Sequence, residues 1–177
     1  MSNLSKEICS WIKNYARENN LSTLVIGVSG GIDSAVVSTL CAMTGMPTKI
    51  LNMPISSKAK NTLLSDLHCN WLIDNFSNVT FEKMDLTDVF LSFEQTLLRS
   101  SESCDLSLAN SKSRLRMVAL YYIAGASRGI VVGTGNKVED FGVGFYTKYG
   151  DGGVDISPIA DLTKTQVRKL AKTLGDN

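Results

Sequence analysis

The sequence has a single histidine, only three prolines, and four cysteines that form no CxxC pair. This shortage of closely spaced Cys and His residues argues against a zinc ribbon or a thioredoxin-like site. Lysine and arginine number 18 against 17 aspartates and glutamates, so the net charge of +1 gives no reason to expect a nucleic-acid or membrane partner. No apolar run is long enough to cross a bilayer, and the first residues contain no apolar signal core.

These features predict a soluble, cytoplasmic protein. The cysteines, Cys9, Cys41, Cys69 and Cys104, are widely spaced and are expected to be free thiols in a reducing compartment. With 177 residues, 44% of them hydrophobic, the chain can build the core of one ordinary domain over residues 1–177.

Apolar periodicity divides the chain into alternating helices and strands. Helices are predicted over residues 5–19, 32–43, 60–75, 88–99, 110–127 and 163–174, with Ser5 capping the first and Asp161 or Thr163 the last. Strands are predicted over residues 24–28, 48–55, 79–86 and 129–132, and loops over 56–58, 100–105 and 141–155. The alternation predicts a doubly wound α/β fold with a mostly parallel sheet, which binds ligands beyond the carboxyl ends of its strands. His68 lies on the third helix, away from the glycine-rich turns, and is expected to be a surface or core residue.

A glycine-rich turn joins the first predicted strand to the second helix, and it reads Gly27-Val28-Ser29-Gly30-Gly31-Ile32-Asp33-Ser34. Its glycines let backbone N–H groups approach a ligand, and the helix start adds unpaired N–H groups and partial positive charge. Hydroxyls of Ser29 and Ser34 add donors, so the turn suits a pyrophosphate. Asp33 would repel phosphates unless a cation lies between them, which predicts a Mg²⁺ ligand. The simpler alternative is a tight turn in which Asp33 only favours the helix dipole.

Neither GxxxxGK[ST] nor GxGxxG occurs in the chain. Instead, the hexapeptide Ser29–Ser34 resembles the PP-loop of the N-type ATP pyrophosphatases, which cleave ATP between its α and β phosphates. Three later segments resemble, in the same order, motifs of the NAD synthetases within that group. They are an Asn-x-x-x-Arg-x-Arg-Met helix at residues 110–117, a GTGNKxE turn at 133–139 and a loop at 145–158 that matches FTKYGDGGxDIxP nearly residue for residue.

The resemblance implies an adenine nucleotide alpha hydrolase-like fold and a reaction. ATP would convert the carboxylate of deamido-NAD to an acyl-adenylate with release of pyrophosphate, and ammonia would then displace AMP to give NAD. The implied ATP-binding residues are Gly27, Val28, Ser29, Gly30, Gly31, Ile32, Asp33, Ser34, Thr134 and Lys164. The implied Mg²⁺ ligands are Asp33 and Glu139, with Asp140 a rival, and the implied deamido-NAD ligands are Arg114, Lys148 and Asp155.

Four of these roles have a simpler alternative. Glu139 and Lys164 could be solvated charges, Thr134 a turn cap, and Arg114 a partner in a helix-face salt bridge. Three aromatic residues are open between core packing and stacking on the dinucleotide: Phe145, Tyr146 and Tyr149. No residue is assigned a catalytic role beyond the ATP and metal groups.

Family members are longer, so the chain is expected to lack their C-terminal segment. A glutamine-dependent enzyme would carry an extra amidase domain with its own catalytic cysteine, and Cys9, in the first predicted helix, lies too close to the start to belong to one. Free ammonia or a separate partner subunit is therefore expected as the nitrogen source. The resemblance also implies a homodimer with the dinucleotide at the subunit interface. Two alternatives are a nucleotide-binding module without turnover and a tRNA-modifying or other amide-forming PP-loop enzyme. The latter would predict a basic face or a zinc or cysteine motif.

Overall fold

A computed structural model describes residues 3–56, 59–98 and 104–175 of the chain. Its helices are α1 Asn3–Glu18, α2 Ile32–Met43, α3 Ala59–Asn75, α4 Thr87–Leu98, α5 Asp105–Ala126 and α6 Lys164–Leu174. Its strands are β1 Thr23–Gly27, β2 Thr48–Asn52, β3 Val79–Lys83 and β4 Gly129–Val131, and a π-helical segment spans Val138–Val143.

The strands of the described residues form a parallel sheet in the order β3-β2-β1-β4. From β1 the chain moves outward through β2 and β3. Helices α4 and α5 then connect β3 to β4, which lies on the other side of β1. The strand order therefore reverses between β1 and β4. In doubly wound sheets a ligand crevice opens at this switch point, outside the carboxyl ends of the strands.

Hydrophobic cores lie on both faces of the sheet, which confirms the predicted doubly wound α/β architecture. One core joins α1, α2, α3 and α6 to strand residues such as Leu24 and Ile26. The other joins Phe90 of α4 and Leu120 of α5 to Val25. Because β1 is covered on both faces, its apolar residues are continuous rather than alternating.

Several predicted boundaries differ from the structure. Strands β2 and β3 end at Asn52 and Lys83 rather than at residues 55 and 86, although isolated hydrogen bonds such as Leu86 N–H to Pro54 O continue the pairing. Ser5 is not the cap of α1, because that helix already includes Asn3 and buries Ser5. Residues 57–58, 99–103 and 176–177, which include parts of the predicted loops and the predicted end of α4, lie outside the described residues.

Other predictions are confirmed in detail. Thr163 caps α6 in a capping box with Gln166, in which each side chain pairs with the other residue's backbone N–H. His68 is a partly buried core residue whose Nε2 lies 2.8 Å from Ser38 Oγ and whose ring stacks on Trp71. None of the helices in the described part of the chain is both long and apolar enough to span a membrane.

Candidate functional site

The loop between β1 and α2 is closed by its own side chains. Ser34 Oγ donates to Gly31 O (2.9 Å) and accepts from the N–H of Ser29 (3.2 Å), and the two serine hydroxyls lie 3.1 Å apart. Gly30 has φ +82°, a conformation that favours glycine. The buried Ser34 hydroxyl therefore shapes the loop, and its role as a donor to phosphate stays a prediction. The free donors are backbone N–H groups in the first turn of α2, which have no intrahelical partner.

Asn136 joins this loop to the turn after β4. The fully buried Asn136 side chain donates from Nδ2 to Asp33 Oδ1 (3.2 Å) and accepts the N–H groups of Val138 (3.0 Å) and Glu139 (3.2 Å). It thereby caps the π-helical segment and fixes Glu139 relative to Asp33. Sequence reasoning quoted Asn136 within a motif but gave it no role.

Asp33 and Glu139 both contact the ammonium group of Lys164. Lys164 Nζ forms an ion pair with Asp33 and lies 3.1 Å from Glu139 Oε1. Burial lowers the pKa of Lys164, but its hydrogen bonds to Asp33 and Glu139 and their charges outweigh burial and hold the pKa above its usual value. Three residues assigned to ATP and metal from the sequence are thus in contact, although 131 residues separate Lys164 from Asp33.

The donor set at this position fits Mg²⁺. Two carboxylates already face a shared cation, and hard oxygen ligands are those Mg²⁺ prefers. Within the described residues, no cluster of three or more His, Cys, Asp or Glu side chains is placed to hold a metal. In nucleotide sites Mg²⁺ is usually held by one or two carboxylates together with substrate phosphates.

Asp140, the rival ligand, lies beside this cluster. Burial raises its pKa, and repulsion from Glu139, Asp151 and Asp33 raises it further. Its carboxylate packs against Gly135, where a Cβ would collide with it.

A cavity of about 340 Å³ lies next to the loop, between β1, β4 and α5. Its apolar wall is formed by Val28, Met53, Met117, Leu120, Val132 and Val154. Polar side chains, including Ser29, Asn52 and Thr134, line other parts of it. An apolar pocket with a few polar groups, at the switch point and beside a helix N-terminus, suits a nucleoside joined to phosphates.

Arg116 also lines this cavity and was missed by sequence reasoning. Its Nε donates to Met53 O (2.8 Å), which ties α5 to the segment after β2. Burial lowers the pKa of Arg116. The signal was available, because Arg116 belongs to the same Asn-x-x-x-Arg-x-Arg-Met segment as Arg114.

The glycine-rich loop of residues 145–158 is fastened to α5. Ser113 Oγ donates to Asp151 Oδ1 (2.7 Å) and accepts the Asp151 N–H (2.9 Å), while Thr147 Oγ1 donates to Asn110 Oδ1 (2.8 Å). Gly150 lies so close to Ser113 that any Cβ would collide with it. The polar side of α5 thus determines the path of the loop.

Arg114, Lys148 and Asp155 all lie on this fastened region. Arg114 Nε donates to Lys148 O (3.0 Å), and the Lys148 ammonium lies 5.0 Å from the centre of the Tyr149 ring. Asp155 Oδ2 accepts the N–H of Val131 (2.8 Å). The structure places Arg114 beside the Lys148 backbone and anchors Asp155 on β4.

Tyr121 orients Asp155 and has no counterpart in the sequence-based assignment. Its hydroxyl lies 2.8 Å from Asp155 Oδ1 and 3.0 Å from Gly153 O. Burial raises the pKa of Tyr121 to about 12, with further increases from the hydrogen bond and charge of Asp155. Phe145, Tyr146 and Tyr149 are exposed, which excludes a core role for them in the described structure.

Comparison with known proteins identifies the family of the chain. The family model described as NAD synthase matches residues 4–176. The chain is 39% identical over 175 residues to the NH(3)-dependent NAD(+) synthetase of Carboxydothermus hydrogenoformans, covering 97% of this chain and 69% of that protein. It is 40% identical to the protein of the same name from Sulfolobus acidocaldarius, covering 93% of this chain and 57% of that protein.

Solved structures of two synthetases are similar to this chain. NMN synthetase from Francisella tularensis superposes with a TM-score of 0.90 at 30% identity, covering 98% of this chain and 70% of that chain. NH3-dependent NAD synthetase from Campylobacter jejuni, in complex with the nitrate ion, superposes with a TM-score of 0.87 at 30% identity, covering 99% and 74%.

Proposed function

The chain belongs to the NAD synthase family, and we propose that it acts in the cytoplasm, as one domain, as an ammonia-dependent ligase that amidates deamido-NAD. One observation carries the proposal: Asp33 and Glu139 converge on one cation position at the switch point, beside a nucleoside-sized cavity. A phosphate loop, a cation site and an apolar pocket are the parts that Mg-ATP requires.

On the ATP side, the N–H groups at the start of α2 would hold the pyrophosphate, with residues 27–34 forming the cradle. Thr134 and Arg116 line the cavity, where Thr134 can contact ATP and the Arg116 guanidinium can offer donors to a phosphate. Lys164 would bind the phosphates. Asp33 and Glu139 would hold Mg²⁺, which neutralises phosphate charge when bound.

The reaction needs two substitutions. The deamido-NAD carboxylate attacks the α-phosphorus, the bond to the bridging oxygen breaks, and pyrophosphate leaves with that electron pair. Ammonia then attacks the acyl carbon, AMP leaves and a proton is released, giving the amide. The chain aligns the carboxylate with the α-phosphate, and positioning of two reactants can contribute several kcal/mol.

On the deamido-NAD side, Arg114, Lys148 and Asp155 are our proposed ligands. Their support is placement, since all three lie where the 145–158 loop meets α5 and β4, next to the ATP cavity. The Arg114 guanidinium can donate a bidentate pair to a phosphate or carboxylate. Tyr149, which the Lys148 ammonium overlies, is exposed and available for stacking.

A smaller acceptor is a second candidate, because the Francisella tularensis structure is an NMN synthetase. Amidation of nicotinic acid mononucleotide uses the same adenylation chemistry. The two substrates differ by an AMP unit, so competition between them in one assay separates the two functions.

We also propose a homodimer. Val118 and Tyr122 of α5 are 66% and 73% exposed, and they continue at four-residue spacing the face that carries Arg114. Pairing two copies through this face would bury apolar surface and place Arg114, a proposed deamido-NAD-binding residue, at the interface. Val118→Lys should shift sedimentation velocity toward the monomer, and an unchanged dimer would exclude this face.

Two assays test the function. The first measures amide formation from deamido-NAD, Mg-ATP and ammonium. The second measures deamido-NAD-dependent exchange of labelled pyrophosphate into ATP, which reports the adenylation step alone. Asp33→Asn should lower the exchange rate at least about a hundredfold, as loss of a group that stabilises phosphate charge does. Asp74→Asn, an exposed change on α3 with the same loss of charge, is the control. Exchange that is equal in wild type and Asp33→Asn would refute the site.

A further inference from the structure

Lys164 connects three separate elements through one charge. Asp33 lies in the first turn of α2, Glu139 in the π-helical segment, and Lys164 is the first residue of α6. The ammonium contacts both carboxylates, and the three side chains are only partly buried. Lys164 thus occupies the place between Asp33 and Glu139 that their proposed metal would take.

A divalent cation and this ammonium cannot share the two carboxylates. Like charges at contact distance repel, and the repulsion is less screened in a partly buried site than in water. The Lys164 side chain is 32% exposed, and its long flexible stem can swing its ammonium toward a nearby phosphate. Such a phosphate would be held by the adjoining loop after β1.

We propose that Lys164 is a positioning residue that holds Asp33 and Glu139 together before nucleotide arrives, and that it excludes a divalent cation until ATP phosphates draw its ammonium away. The site then takes its cation together with ATP rather than ahead of it. This inference rests on the proposed metal role of Asp33 and Glu139.

The test measures binding of Mn²⁺ to the whole chain without nucleotide, by the loss of the free-ion electron paramagnetic resonance signal. Lys164→Met should bind Mn²⁺ at least about tenfold more tightly than wild type, because one like charge leaves the site. Lys169→Met removes the same charge from an exposed position on α6 and should bind as wild type does. Adding Asp33→Asn to Lys164→Met should cancel the gain.

Unfolding temperature gives a second measurement. Without metal, Lys164→Met should melt below wild type, since its two carboxylates repel each other, and Mn²⁺ should raise its melting temperature by more than that of wild type. Lys164→Gln serves the same purpose if the methionine variant does not fold.

The outcomes separate the two proposals. Because α,β-methylene-ATP itself binds free Mn²⁺, binding in its presence is read by calorimetry, as tighter binding of the analogue with Mn²⁺ than without it. If wild type binds Mn²⁺ only with this analogue, and neither Lys164 variant gains affinity without nucleotide, the exclusion by Lys164 is wrong and the metal site stands. If no variant binds Mn²⁺ with or without the analogue, the metal assignment fails and the inference fails with it. Tight Mn²⁺ binding by nucleotide-free wild type would also overturn the inference.

Discussion

The Asn136 amide donates a hydrogen bond to the carboxylate of Asp33, across 103 residues of sequence. This bond joins the loop after β1 to the turn after β4, so the two sides of the switch point are held in register by one buried side chain. The oxygen of the same side-chain amide accepts the N–H groups of Val138 and Glu139, and so caps the π-helical segment that carries Glu139.

Replacing Asn136 by Ala should lower the free energy of unfolding by about 3 kcal/mol, because buried N–H groups lose their acceptor. It should also weaken ATP binding measured by calorimetry, since Asp33 and Glu139 are no longer held together. Asn75→Ala, at an exposed position on α3, should cost about 1 kcal/mol or less in urea unfolding. Equal losses at the two positions would contradict the assignment.

Gly133→Ala should disrupt the turn after β4. A Cβ there would lie 2.5 Å from Val154 Cγ2 and 3.1 Å from Val154 Cβ, so either the turn or the 145–158 loop must move. We expect a loss of about 1–3 kcal/mol in urea unfolding and weaker ATP binding. Gly125→Ala is the matched control: a Cβ there meets nothing within 4 Å, and alanine should stabilise α5 by about 0.5–1 kcal/mol.

Tyr121→Phe should weaken binding of deamido-NAD and leave ATP binding unchanged. The hydroxyl that orients Asp155 is lost, while Tyr121 does not line the ATP cavity. Loss of one hydrogen bond to a charged group corresponds to roughly tenfold in affinity. The comparison is Tyr15→Phe, at an exposed position on α1 that belongs neither to the site nor to the proposed dimer face. Calorimetric titrations with deamido-NAD and with ATP would measure both affinities. Equal weakening for ATP would indicate a structural effect instead.

His68 should contribute to acid sensitivity. Burial lowers its pKa to about 4, opposed by a backbone hydrogen bond at Ala35, while an unfolded histidine titrates near 6.5. Between these values the unfolded chain binds the extra proton, so stability is lost as pH falls from about 6.5 toward 4. Partial solvent exposure reduces the effect to on the order of 2 kcal/mol. Urea unfolding at several pH values measures the dependence of stability on pH, which His68→Gln should reduce. If stability falls with pH equally in wild type and His68→Gln, the contribution of His68 is refuted.

Local patterns predicted the fold and the loop after β1 because both depend on short-range chemistry. The apolar runs of β1 and β4 and the glycines after them placed these two turns at one edge of a parallel sheet. The approach of Lys164 to Asp33 followed only from the resemblance, since no local pattern links α6 to α2. Helix α5 begins at Asp105 rather than Asn110 because Leu108 packs on the core under α4, a tertiary contact that periodicity does not show.

Long-range polar contacts could not be predicted in this way. Residues 141–143 were expected to be loop, but they belong to the π-helical segment, whose start is capped by the Asn136 side chain. Tyr121 has the same spacing as other apolar residues of α5, so nothing local distinguishes it. Its hydroxyl acquires a role only because β4 brings Asp155 across from α5.

The closure of the β1–α2 loop by Ser29 and Ser34 has an energetic consequence. A cradle that is already formed need not lose conformational entropy when an anion arrives, so preorganisation supplies part of the affinity. In the proposed phosphate site, the bonds between the serine hydroxyls would stiffen the backbone, and the peptide dipoles would attract the anion. Docking of a triphosphate should therefore resemble the meeting of two rigid surfaces, with little ordering of this loop on binding.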